Sequence, residues 1–179
     1  TIDSHGDFPE YPVTHGVPKA VKCVNFPEIS MFAGWPWGNF GAIPAPKRFS
    51  KLWSQCHGMM EGGFPYSEGC FEDFNKALYA GFYWSGNNET AETMREYFNY
   101  EFAGADNSDL ETFIDIIEEN LNNLHWMLSQ REGTPTPLKN KPGVWRNNAT
   151  FNGNTKNAHD IFQRHDSQAP EWVRTSWRW

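Results

Sequence analysis

Apolar residues in this chain recur mostly at spacings of three and four, the period of helices that each bury one face. Phe49, Trp53, Cys56 and Met60 set the first such stripe, opening at Pro46 and stopped by Gly62-Gly63. Phe71, Phe74, Leu78 and Phe82 set a second over about Glu68 to Tyr83, closed by Gly86 and Asn87. Thr90 is placed to cap a third helix that runs through Phe102, with Met94, Tyr97 and Phe98 inward and Gly104 as its stop. The longest stripe joins Leu110, Phe113, Ile114, Ile117, Leu121, Leu124 and Leu128. It opens on Ser108-Asp109-Leu110-Glu111, which has the form of a capping box, so a helix is expected from Asp109 to about Gln130. Its other face carries Asp115, Glu118, Glu119 and Asn122, which predicts an outer helix with those groups in water.

Strand patterning is scarce. Lys19 to Phe26 is the best strand candidate, bounded by Pro18 and Pro27. A long Gly, Pro and Trp-rich loop follows, and loops of that length are usually functional. The expected fold class is therefore mainly α with few short strands. Three regions divide the chain: residues 1–45 with the strand and aromatic loop, a helical region over 46–131, and a Pro- and Asn-rich extended tail over 132–179, with a short helix near Asn157 to Arg164. A lone strand has nothing to pair with. The irregular parts must supply more strands, or the rest of a sheet lies on a missing part or another chain.

The charge balance narrows the partners. The 179 residues carry a net charge of −7 with no basic cluster, which argues against nucleic acid and anionic membrane surfaces. No stretch approaches the ~20 apolar residues of a membrane span. Cys23, Cys56 and Cys70 lack metal-type spacing and are expected as buried thiols, and the six histidines show no ligand spacing, so neither metal nor cofactor is expected. The sequence opens on Thr1 rather than Met, which suits a mature, processed or excised chain, with a secreted or periplasmic setting expected. Aromatic residues reach 16%, including nine Trp, more than packing alone usually demands.

The candidate chemistry follows from where those rings fall. Glu28 leaves the strand at Pro27 and enters the loop that holds Trp35, Trp37 and Phe40. A carboxylate handles protons at a glycosidic oxygen, and flat rings offer an apolar face to a sugar. Glu28 stands first as catalytic acid or base, its apolar neighbours Phe26, Ile29 and Met31 suiting a carboxyl of raised pKa. The bland reading is a solvated loop carboxylate or a helix-cap partner. Asp3 is the candidate second carboxylate, and His5, two residues on, would share its face on an extended segment. An Asx turn is the competing reading there. Trp35, Trp37, Tyr66 and Glu68 complete the candidate substrate-binding set, with loop anchoring and helix capping as their ordinary alternatives.

Longer runs carry a resemblance. N-F-P-E-I-S-M from Asn25, P-W-G-N-F-G-A-I-P-A-P from Pro36 and Y-S-E-G from Tyr66 resemble a group of large bacterial glycoside hydrolases related to the α-glucuronidase and β-hexosaminidase type of TIM barrel. The run A-L-Y-A-G-F-Y-W-S-G-N-N-E-T-A-E-T-M-R-E-Y-F resembles the helical region that follows the barrel in α-glucuronidases, with Ser85-Gly86-Asn87 where the family has an Asp-Pro turn. The likeness spans roughly Asp3 to Phe102. It implies that residues 1–45 are the C-terminal end of a (β/α)8 barrel, with Glu28 at the strand ends where barrel enzymes keep their chemistry and the rest of the barrel upstream. Three functions compete on these residues: a glycoside hydrolase acting on a poly- or oligosaccharide, a non-catalytic carbohydrate-binding module, and a structural helical accessory domain.

Overall fold

The computed structural model describes residues 1–4, 8–29, 44–67, 72–103, 105–129 and 153–179, with the side chains of 3, 4 and 121–129 left aside. The protein is mainly helical. Two three-residue strands, β1 (Ile2–Ser4) and β2 (Asn25–Pro27), flank a short helix α1 (Glu10–His15). The helices α2 (Pro46–Cys56), α3 (Asp73–Ser85), α4 (Ala91–Glu101) and α5 (Asn107–Ser129) follow, and α6 (Thr155–Gln168) and α7 (Glu171–Arg174) end the chain.

β2 is the middle of a parallel ladder. On one side it pairs with β1, Ile2 opposite Asn25, Asp3 opposite Phe26 and Ser4 opposite Pro27. On the other, parallel bridges join Asn25 to Gly63 and Glu28 to Tyr66. The amides of Phe64 and Tyr66 donate to the carbonyls of Asn25 and Pro27 at 3.0 and 2.7 Å, and the amide of Ile29 returns to the Tyr66 carbonyl at 3.2 Å. The segments run β1, β2, Gly63–Tyr66 in chain order, with α1 and α2 in the crossovers. Parallel neighbours need such connections.

The expected strand thus moves toward its C-terminus. Lys19 to Lys22 form an exposed turn, with Val21 63% exposed. Inward alternation begins only at Cys23 and continues through Asn25 and Pro27, all buried, so Pro27 is the last paired residue of the strand rather than a stop beyond it.

Gly63 is where the ladder meets α3. A Cβ built there would collide with the Asn25 carbonyl oxygen and with the Tyr83 hydroxyl. Backbone and a half-buried ring packed on the core cannot both retreat at low cost. Gly63→Ala is expected to destabilise by about 1–3 kcal/mol, the range for overpacking. Urea unfolding of the variant checks it, and an unchanged midpoint would contradict that close approach.

The helical stripes bury as the spacing predicts. Phe49, Leu52, Trp53 and Cys56 of α2, Phe74, Leu78, Tyr79 and Phe82 of α3, and Met94 and Phe98 of α4 join one core. Gly86 ends α3 in the left-handed conformation, φ 72°, and its amide returns to the Phe82 carbonyl. That conformation suits glycine. Cys23 and Cys56 are free and buried, while Cys70 lies outside the described residues.

Helix α5 departs from its expected role in two ways. Its N-terminus is capped from Asp106, whose Oδ1 accepts the Asp109 amide at 3.1 Å, rather than by Ser108. It is also no outer helix. Leu110, Ile114 and Ile116 are buried, Ile117 is only half-buried, and Glu118 is fully buried. The stretch expected as extended tail covers one face of α5: α6 is longer than foreseen and packs along it, burying its own Ala158, Ile161 and His165.

Glu118 faces the start of α2. Its two carboxylate oxygens accept the amides of Lys47 at 3.0 Å and Arg48 at 2.7 Å. α2 has no side-chain cap of its own, because Ala45 stands at its N-cap position. A distant carboxylate satisfies two of the amides that every helix leaves open at its first turn. Burial pushes the Glu118 carboxyl above its usual range, against the pull of those two amides.

Candidate functional site

A parallel ladder places the ends of its strands along one edge, and here that edge gathers several of the expected residues. Glu28 follows β2 directly and is bridged to Tyr66 through the backbone. Asp3 lies in register with Phe26, two residues before Glu28, and the Asp3 side chain is outside the description. His5, Glu68, Trp35 and Trp37 lie outside the described residues. Two side chains of the set are therefore placed, and they are neighbours.

Their settings differ. Glu28 is 1% exposed, packed beside Ile29 at 3%, so it is no solvated loop carboxylate. Tyr66 is half-buried, its ring 5.5 Å from that of Phe26 and tilted against it. Phe64 covers the same Phe26 ring edge-on at 5.2 Å and is itself half-exposed. The ladder edge thus combines a sheltered carboxylate with partly open aromatic faces.

Two residues that hold this edge were not foreseen. Asn75, 1% exposed, donates from Nδ2 to the Ile29 carbonyl and accepts the Ala45 amide at Oδ1, both at 3.2 Å. One side chain of α3 thereby fixes the residue after Glu28 and the residue before α2. Glu72, 2% exposed, accepts the Ser67 hydroxyl at 2.6 Å and so anchors the segment that follows Tyr66. Asn75 carried a legible signal, since it stands beside Phe74, one turn before Tyr79, on an otherwise apolar face. A polar side chain there must be hydrogen-bonded once buried.

Burial pushes the Cys56 thiol up to about 12, which keeps it protonated. Among the described residues no group of His, Cys, Asp and Glu is arranged to hold a metal ion, and no helix is long and apolar enough to cross a membrane.

A separate cavity of about 190 Å³ opens where α3, α4, α5 and α6 meet the C-terminal residues, and Glu28 does not line it. Its polar end is built on Asp73, which accepts the Arg178 Nε at 2.6 Å and the Tyr97 hydroxyl at 3.1 Å. The Arg178 hydrogen bond is the main cause that holds the Asp73 carboxyl below its usual range. A carboxyl lowered on folding stabilises the fold above its unfolded pKa and loses that contribution as pH falls through its folded value. Arg178→Gln is thus expected to destabilise at neutral pH and to converge with the parent protein as pH drops below ~4. Thermal unfolding across pH measures this, and a gap that persists in acid would assign the effect to packing.

Comparison with known proteins found no matching family model, and neither a curated protein nor a solved structure matches.

Proposed function

We propose that this protein is part of a carbohydrate-active enzyme, a glycoside hydrolase in which Glu28 serves as acid or base. The observation that carries the reading is the ladder: three parallel segments in chain order, helices in the crossovers, and Glu28 beside Tyr66 at their carboxyl ends. That order is compatible with the repeating unit of a (β/α)8 barrel, a fold whose chemistry sits at that edge. A sheltered carboxylate fits a group that must hold its proton for a leaving oxygen, and the neighbouring rings fit a sugar face. Asp3, two register positions earlier on β1, is the proposed second carboxylate, with His5, Trp35, Trp37, Tyr66 and Glu68 proposed to line the sugar site. β1 has β2 on one side only among the described residues, so further strands from the same enzyme or another chain are proposed to complete the barrel, in a secreted or periplasmic setting.

One observation favours a second reading, a carbohydrate-binding or accessory domain. Glu28 is almost wholly covered, which also suits a structural role. Release of chromophore from a panel of aryl glycosides tests both. Turnover supports the hydrolase. Saturable glycan binding with no turnover, by this chain alone or joined to its complementing strands, assigns the binding module.

A further inference from the structure

The cavity beside Asp73 combines three properties that the ladder edge does not share. The first is size: about 190 Å³, close to a cavity of ~150 Å³ known to admit benzene, so a single ring fits. The second is its wall. Trp179 stands edge-on to Phe102 at 5.4 Å and tilts over Phe162 at 5.6 Å, and Phe162 stacks on Phe113 at 6.2 Å. Leu110 and Ile114 form a buried floor, while Trp177 at the rim is half-exposed and leaves a way in.

The third is charge. Arg178 is shared by two carboxylates, Asp73 at 2.6 Å and Glu101, just outside the lining, at 3.4 Å. Lys76, which also acts on Asp73, is paired with Glu72 at 3.7 Å, so this end of the cavity has one negative charge in excess. Both hydrogen bonds to Asp73 fall on Oδ2, and among the described residues Oδ1 accepts none. An aromatic wall attracts cations through the negative faces of its rings. This wall already does so once, since the Arg178 guanidinium lies 4.3 Å from the Trp177 ring centroid. At the far side His165 is tied to Asp109 at 2.8 Å, and Arg164 pairs with the same carboxylate, so that pole is already compensated.

We propose that this cavity binds a single-ring organic cation, an aryl- or cycloalkyl-methylammonium, with its ring among Phe102, Phe162 and Trp179 and its ammonium toward Asp73 Oδ1. An anionic ring is disfavoured by the surplus carboxylate, and a neutral one gains only the apolar contact. The site is distinct from the ladder edge and does not rest on its function.

Benzylamine, benzyl alcohol and benzoate are the probes, titrated at low salt into the full chain and followed by tryptophan fluorescence. Benzylamine is expected to saturate at millimolar concentration, about fivefold more tightly than benzyl alcohol, with benzoate weakest. Glu101→Gln removes the surplus charge without touching the wall, and should erase that advantage while leaving the alcohol unchanged. Equal binding of amine and alcohol by the parent protein would overturn the proposal. So would an unsaturable benzylamine signal, or an advantage that survives in Glu101→Gln.

Discussion

On the proposed hydrolase reading, Glu28→Gln is expected to lower turnover on the order of 10²–10⁴-fold, the usual worth of a positioned general acid or base. The amide keeps the shape and an acceptor oxygen but cannot exchange a proton. Burial makes the control as informative as the rate, because Glu28 is 1% exposed. A catalytic carboxylate should leave the unfolding midpoint and glycan affinity close to those of the parent protein. A folded variant with full turnover would take the chemistry away from Glu28, toward Asp3 or Glu68 or the complementing strands. A variant that loses stability instead would assign Glu28 to the ladder's architecture. Rate and midpoint measured together separate these outcomes.

Glu118→Ala is expected to destabilise the protein by about 3 kcal/mol, from lost charge-assisted hydrogen bonds and two amides left buried at a helix start. Lys47 and Arg48 have no nearby substitute, since Ala45 offers no side-chain acceptor. Glu118→Gln should cost less, because its carbonyl oxygen still accepts one amide. The pH dependence has a defined sign. Burial raises the Glu118 carboxyl, so the folded state favours the protonated acid. Its contribution is then complete below its unfolded value of ~4.3 and declines as pH rises through the higher folded value. The parent protein should gain on Glu118→Gln as pH is lowered toward that range. Denaturant unfolding at several pH values reads both effects, and a loss near zero for Glu118→Ala would show that water can cap α2.

The same residue marks where the sequence stops being legible. The stripes of α2, α3 and α4 could be read because each buries a face at helical spacing. Glu118 was misread because its neighbours Asp115 and Glu119 look solvated, and periodicity does not say that a second helix will cover that side. The start of α2 does so at Glu118, while α6 covers another face of α5, from a stretch whose Asn- and Pro-rich approach disguised it. The ladder was half-legible. Its strands are three residues long, too short for alternation to stand out, and Pro27 and Gly63 look like breakers although they lie within the pairing. Of the candidate site, the sequence singles out Glu28 and Tyr66 separately, and only the ladder makes them neighbours. Asn75 stands out as a polar residue on an apolar face, whereas the Glu72 contact with the Ser67 hydroxyl follows no local pattern.

The ladder also implies an order of assembly. Helices α3 and α4 are joined by a short connection and meet through local contacts, which form early because little chain entropy is lost in closing them. Pairing Ile2 with Asn25, and Asn25 with Gly63, must instead wait for whole crossovers to condense. An early compact state would hold its helices while β2 still had two bare edges, each a template for another chain. Refolding yield should therefore fall with protein concentration, and the amides of Ile2, Phe64 and Tyr66 should be among the last to gain protection in pulsed hydrogen exchange.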